Sequence, residues 1–137
     1  MVERVSAART PEAEKVTINL GFVDLGRIDL LVRDGFYSNR TDFIRTAIRR
    51  EIERQEGVLA QGVARRRLEL GLRRYGREEL EALASAGEQL DLQVLGLVAI
   101  ADDVSPELAR ATIRSLHVLG ALHASPAVKA ALADRLR

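Results

Sequence analysis

The chain has 137 residues, with 21 lysines and arginines against 20 aspartates and glutamates, and a formal net charge of +1. This length accommodates one domain or two small ones, and the apolar content of 47% is typical of a globular protein. The lack of cysteine excludes disulfides, thiolate metal sites and cysteine nucleophiles. No apolar run is long enough for a transmembrane helix and no secretory signal is visible, so a cytoplasmic protein without a membrane partner is expected. The balanced charge argues against binding nucleic acid through bulk positive charge.

A polar arm and a single strand are predicted at the start of the chain. Residues 1–14 lack periodicity, which is typical of a flexible arm. Residues 15–20 alternate polar and apolar side chains, which predicts a half-buried strand. The apolar face holds Val16, Ile18 and Leu20, and the polar face holds Lys15, Thr17 and Asn19. Because backbone groups of a strand need partners, the second strand must be remote or belong to another chain.

Two amphipathic helices are predicted to follow the strand. The first, over residues 24–34, is expected to begin at an Asp24 cap and to end at Gly35 in a left-handed conformation. The second is expected to begin at the cap Ser38, with Asp42 in its first turn. Their apolar stripes are Leu25, Ile28, Leu31 and Val32 in the first helix, and Phe43, Ile44, Ala47, Ile48 and Ile52 in the second.

The segment 15–56 is too short to build an adequate core alone, since domains of about 40 residues seldom do so. A homodimer would pair the lone strand with its copy and enlarge the core. The order of strand, helix and helix also resembles the ribbon-helix-helix DNA-binding domains of the CopG/Arc/MetJ type. The resemblance rests on the alternating strand, a helix ending in glycine, a Tyr-Ser turn and an arginine-rich helix. The matching positions are Gly35, Tyr37, Ser38, Arg40, Asp42, Ile44, Arg45, Ala47, Ile48 and Arg49.

The resemblance implies an intertwined homodimer whose two-stranded ribbon enters the major groove of double-stranded DNA. It assigns base reading to Lys15, Thr17 and Asn19, whose side chains suit guanine, thymine and adenine edges. It assigns phosphate binding to the backbone N–H groups of Asn39 and Arg40, with Ser38 as the cap. It assigns the dimer core to Val16, Ile18, Leu20, Ile28, Leu31, Ile44 and Ile48. The plainer alternative for the polar strand face is an ordinary solvated surface.

Residues 57–76 differ in composition from their surroundings. They contain five arginines and one glutamate, whereas residues 1–56 are neutral and residues 77–137 have a net charge of −3. Leucines recurring every three to four residues predict a basic helical linker. This linker is either a solvated helix or a source of supplementary phosphate contacts.

Residues 77–137 contain an internal echo. Residues 92–99 return in similar form as residues 116–123, and each copy leads into a Ser-Pro pair. The pattern predicts an αβαβα order with parallel buried strands and helices over 77–86, 105–114 and 125–136. Two strands are too few for a stable sheet, so a short βα solenoid or a sheet completed across a dimer is expected. The whole chain is therefore predicted to be α+β and mostly helical, with a C-terminal oligomerisation or regulatory domain.

Nothing in the sequence predicts an enzyme, a cofactor or a metal site. His117 and His123 are the only histidines, and no phosphate loop or catalytic triad spacing is present. The main hypothesis is a sequence-specific DNA-binding transcriptional regulator acting as a homodimer or higher oligomer. The C-terminal region would then oligomerise, sense a small effector or bind another protein. Two alternatives remain: an antitoxin of a toxin–antitoxin pair that also autoregulates by DNA binding, and a structural protein that self-assembles through its C-terminal repeats.

Overall fold

The computed structural model describes residues 13–137, which form two compact units, Ala13–Gly62 and Val63–Arg137. The predicted arm falls almost entirely on residues 1–12, which lie outside the described residues. About half of the described residues are helical and three strands form one sheet, so the fold is α+β with less helix than the sequence predicts.

The unit Ala13–Gly62 contains helices α1 (Phe22–Arg33) and α2 (Arg40–Arg54) and the start of α3 (Glu56–Arg66). Residues 13–20 have no regular secondary structure. A strand requires a hydrogen-bonded partner, and the predicted partner belongs to a second copy of the chain. The ribbon therefore stays a prediction.

The helix starts differ from the predicted ones. Helix α1 follows Gly21, which makes no side-chain cap, so the Asp24 cap was wrong; Asp24 lies in the first turn, where the helix dipole favours an acid. Helix α2 is capped by Asn39, not Ser38, because the Asn39 side chain accepts a hydrogen bond from the Asp42 N–H at 2.8 Å. The prediction for Gly35 is confirmed by its φ of 87°.

The unit Val63–Arg137 is built on a three-stranded parallel sheet with the strand order β1-β2-β3. The predicted parallel pairing is confirmed, and the αβαβα order of residues 77–137 is observed. The elements after α3 are β1 (Glu69–Tyr75), α4 (Arg77–Ser85), β2 (Leu90–Ile100), α5 (Pro106–Thr112), β3 (Ile113–His123), α6 (Pro126–Ala131) and a 3₁₀ turn (Ala133–Arg135).

Strand β1 corrects the predicted helical linker. Helix α3 occupies only the first half of residues 57–76, and Glu69–Tyr75 pairs with β2. The leucines that suggested a helix also alternate with period 2, as a strand requires. Gly71 decides against the helix, since its φ of 128° lies outside the helical region. This third strand enlarges the sheet within one chain, where the sequence predicted only two strands.

Three glycines form a row across the sheet. Gly71 pairs in register with Gly96, and Gly96 with Gly120, and all three have positive φ. A Cβ on Gly96 would lie 2.1 Å from the Gly71 carbonyl oxygen, and one on Gly120 would lie 2.0 Å from the Gly96 oxygen. Because no side chain fits such an approach, only glycine is compatible with this backbone.

The core of this unit lies between the sheet and the helices that follow each strand. The predicted Ser-Pro helix starts are confirmed: the Ser105 and Ser125 hydroxyls accept hydrogen bonds from backbone N–H groups three residues later, at 3.1 and 3.2 Å. Helix α6 ends at Ala131 and is therefore shorter than the helix predicted over residues 125–136. The fully buried apolar side chains are Leu80, Val98, Ala109, Ile113, Leu116, Val128 and Leu132.

Candidate nucleic-acid interface

The polar face predicted for the strand is exposed to solvent. Lys15, Thr17 and Asn19 are all exposed. Their alternating positions would place the three side chains on one face if the segment formed a strand. The backbone groups of the same segment are those that would hydrogen-bond to a second copy.

An open apolar groove of about 410 Å³ lies in the unit Ala13–Gly62. All of the predicted dimer-core residues except Val16 line it, together with Phe43 and Ala47. Asp24 and Arg27 also line it, and the Arg27 Nη1 lies 3.8 Å from the Asp24 Oδ1. The residues that line the groove are Ile18, Leu20, Asp24, Arg27, Ile28, Leu31, Phe43, Ile44, Ala47 and Ile48.

Within the unit Ala13–Gly62 the groove is uncovered. Ile28 is the only buried residue of Ala13–Gly62, while Ile18 is 59% exposed and Ile48 54% exposed. Val16, the remaining predicted core residue, is 78% exposed. Full burial of an apolar side chain stabilises the folded state by about 1.5–3 kcal/mol. A unit with one buried side chain therefore lacks the core expected of a stable domain.

The turn between α1 and α2 is held by several local bonds. At the end of α1, the Phe36 N–H donates to the Leu31 carbonyl and the Gly35 N–H to the Val32 carbonyl, each within 3.1 Å, which is a Schellman motif. At the start of α2, the Asp42 carboxylate accepts from the Ser38 N–H at 2.9 Å.

The aromatic pair of the same turn packs locally. The rings of Tyr37 and Phe43 meet edge to face with centroids 5.0 Å apart. Phe43 also lines the groove, so the turn and the groove share a side chain. Because the first N–H groups of a helix lack partners within the helix, the Asn39 and Arg40 amides belong to an end suited to an anion.

A bidentate ion pair connects α1 to the first residue of α2. Arg40 donates from Nε and Nη2 to the two carboxylate oxygens of Asp29, each at 2.8 Å. The bond to Arg40 lowers the pKa of Asp29, and the same bond raises the pKa of Arg40. Both side chains are about half exposed, so solvent screens the pair. The predicted phosphate residue Arg40 therefore has its guanidinium engaged by another residue.

The model of the Ribbon-Helix-Helix transcriptional regulator family matches residues 11–129. The chain belongs to this family. No curated protein and no solved structure matches the chain.

Membership of the Ribbon-Helix-Helix transcriptional regulator family confirms the resemblance drawn from residues 15–56, and the match extends far beyond that segment. Most of Val63–Arg137 therefore belongs to the family pattern rather than being an unrelated addition.

Sequence reasoning missed the Asn39 cap and the Asp29–Arg40 pair in this member of the Ribbon-Helix-Helix family. The cap had a local signal, since Asn39 is followed three residues later by the acid Asp42, close to a capping-box pattern. The pair had none, because its partners are eleven residues apart and meet only once the two helices pack.

The C-terminal unit of this Ribbon-Helix-Helix protein contains a polar cleft of about 470 Å³. Asp91 accepts hydrogen bonds there from Arg114 and from the Ser115 hydroxyl, the latter at 2.7 Å. These bonds lower the pKa of Asp91 from 3.8 to about 2, with Arg114 the larger cause. The residues that line the cleft are Arg66, Asp91, Gln93, Arg114, Ser115, His117 and Arg137.

The two histidines of the chain occupy different places on β3. His117 lines the polar cleft, whereas His123 pairs with Ala99 at the far end of the strand. Within residues 13–137, no three histidine or acidic side chains are grouped as a metal site would need. No helix in that same range has the length and apolar character needed to cross a membrane.

Proposed function

We propose that the protein is a homodimeric, sequence-specific DNA-binding regulator. Two copies of residues 15–20 pair as antiparallel strands, and the ribbon they form enters the major groove. Family membership supports the role of transcriptional regulator. The observation that carries the dimer is the open apolar groove, which gathers nearly all of the predicted core residues and leaves most of them uncovered within the unit Ala13–Gly62.

A second copy of the chain suits this groove. Its Ile18 and Leu20 would cover Ile44 and Ile48 of the first chain while its own groove receives the same residues in return. Such a two-fold contact uses one surface twice, as isologous dimers do. The strand pairing would also satisfy the backbone groups of residues 15–20, which a single chain leaves to solvent.

The polar face of the ribbon would read base edges. Lysine can donate to guanine, asparagine can form two hydrogen bonds with adenine, and threonine can bond or contact the thymine methyl group. Lys15, Thr17 and Asn19 are exposed and ready to make such contacts. Each good contact contributes about 1–3 kcal/mol of discrimination between bases, and the dimer presents each residue twice.

Phosphate binding is proposed for the start of α2. The Asn39 and Arg40 amides would donate to a DNA phosphate, helped by the helix dipole. Ser38 would contribute through its hydroxyl, because its own N–H donates to Asp42. Such contacts orient the protein on the duplex, while the ribbon supplies sequence preference.

The distribution of charge along the chain determines the expected strength of non-specific DNA binding. The basic residues of 1–56 are balanced by acids, so non-specific affinity should be modest. The excess of four positive charges in residues 57–76 can add salt-dependent contacts, whether from α3 or from β1. Specificity would then depend chiefly on the three ribbon side chains.

The test combines the mass in solution with unbiased selection of bound DNA by the full chain. A dimer or a multiple of it and one enriched motif are expected. Thr17→Ala and Asn19→Ala should each reduce the affinity for that motif more than for random DNA. Gln61→Ala, at an exposed position of α3, serves as the control. A monomer without a selected motif, or ribbon variants that bind like the control, would contradict the proposal.

The folded C-terminal unit supports regulation over the antitoxin alternative. Antitoxin tails are expected to be disordered until a toxin binds, whereas Val63–Arg137 has a sheet and a buried core. We propose that this unit oligomerises, or binds a small effector or a protein that modulates DNA binding. Slow amide exchange of β2 in the free protein is the expected observation, since protected amides report a stable fold. Fast exchange throughout the unit would favour the antitoxin.

A further inference from the structure

We propose that Arg40 and Asp29 form a positioning pair, in which the Arg40 guanidinium fixes α2 against α1 and does not itself contact DNA. This inference rests on the proposed function, because its readout is DNA binding. It assigns a role to Asp29, a residue that neither the ribbon nor the groove uses, and it gives the Arg40 side chain a role distinct from the phosphate binding proposed for the Arg40 backbone amide.

The geometry of the pair supports positioning. Arg40 is the first residue of α2 and Asp29 lies in the middle of α1, so the bond joins the two helices across the turn. Both donor distances are 2.8 Å and both carboxylate oxygens are used. Planar, bidentate pairs of this kind restrict orientation as well as distance.

The pair acts together with the groove. Ile28 and Leu31 of α1 line the groove together with Ile44 and Ile48 of α2. A bond that sets the crossing of these helices therefore sets the width of the groove and the direction of the α2 start. Local bonds hold the turn from both ends, but the Asp29–Arg40 pair is a side-chain bond that spans from α1 to α2.

The charges of the pair also support a positioning role. Asp29 neutralises the guanidinium and occupies one hydrogen each of Nε and Nη2, so a phosphate contact through those hydrogens would have to break the pair first. If Arg40 were nevertheless a phosphate contact, removing Asp29 would free a positive charge and tighten DNA binding. If the pair positions α2, removing Asp29 would weaken binding. The two roles thus predict opposite signs for one substitution.

The experiment measures the dissociation constant of the full chain for its selected DNA over a range of KCl concentrations. Asp29→Asn is compared with Asp34→Asn, which removes the same charge from an exposed carboxylate just beyond α1. Binding by Asp29→Asn is expected to be about 2- to 30-fold weaker than by the control, since each of the two chains in the dimer loses one exposed pair. Asp29→Glu, which keeps a carboxylate, should recover most of the affinity.

Salt dependence separates positioning from direct phosphate binding. Arg40→Gln should weaken binding without changing the slope of log affinity against log salt, and the double variant with Asp29→Asn should bind no more weakly than Arg40→Gln alone. If the Arg40 side chain instead neutralised a phosphate, its removal would reduce the slope by about 0.9 for each phosphate that it had neutralised. Melting of each variant, followed by circular dichroism, establishes that the domain is folded.

The outcomes distinguish the two proposals. If the wild-type chain selects no DNA, the proposed function fails. If the wild-type chain binds DNA, but Asp29→Asn binds as tightly as Asp34→Asn or Arg40→Gln reduces the slope, the positioning role is wrong and the proposed function stands.

Discussion

Ile48→Asp should dissociate the dimer and abolish specific DNA binding. Ile48 lines the groove and is 54% exposed in the single chain. Full burial of an isoleucine contributes about 1.5–3 kcal/mol, so covering the exposed half contributes about 0.8–1.6 kcal/mol per chain and about twice that per dimer. The dimer dissociation constant should therefore rise at least about 10- to 200-fold, and the cost of burying an aspartate adds to this.

Sedimentation equilibrium over a range of protein concentrations gives the dissociation constant, and anisotropy of labelled DNA gives the binding. Leu30→Asp is the matched control, because Leu30 is 58% exposed on α1 but does not line the groove. The control is expected to remain dimeric and to bind DNA. If Ile48→Asp matches it in both measurements, the groove is not the interface between copies.

Three further predictions concern stability. Gly96→Ala should strongly destabilise the C-terminal unit, because its Cβ would lie 2.1 Å from a neighbouring backbone oxygen at a φ of 144°. Gly57→Ala, whose Cβ would meet nothing within 4 Å in α3, should raise the free energy of unfolding by about 0.5–1 kcal/mol. Similar melting temperatures for the two variants would refute the close approach of the Gly71 oxygen to Gly96. Asn39→Ala should lower the free energy of unfolding by about 0.5–2 kcal/mol, measured by urea denaturation of the free protein. Ser38→Ala should leave that free energy nearly unchanged, and the reverse order would show that Ser38 is the cap. The lowered pKa of Asp91 favours the folded state above the ordinary value of 3.8, and this contribution is lost as pH falls toward about 2. Wild type should therefore melt higher than Asp91→Asn at neutral pH, and the gap should close in acid; a gap independent of pH would contradict this.

Local chemistry made several features predictable from the sequence. The left-handed Gly35 and the Ser-Pro helix starts at residues 105 and 125 depend only on neighbouring residues, and the structure has all three. The apolar stripes of α1 and α2 follow from helical spacing, and they meet in the groove. The cap of α2 was misplaced by one residue because Ser38 and Asn39 are both good capping residues.

Features that depend on distant residues were not predictable in the same way. Strand β1 pairs with a segment about 25 residues away, and its leucines fit helical and strand spacing alike. The Asp29–Arg40 pair forms only after the two helices pack against each other, so no local sequence pattern predicts it. The proposed ribbon is harder still to derive from one sequence, since the strand that would pair with residues 15–20 lies in a second copy of the chain.

The glycine row has a consequence for how the C-terminal unit can change in length. Gly71, Gly96 and Gly120 are spaced by 25 and 24 residues, and each meets the next across the sheet. An insertion of one whole strand and helix of that size would continue the row, whereas a shorter insertion within a strand would place a side chain against a carbonyl oxygen. Natural or engineered variants of this unit should therefore grow or shrink in complete strand–helix steps, with smaller length changes confined to the turns.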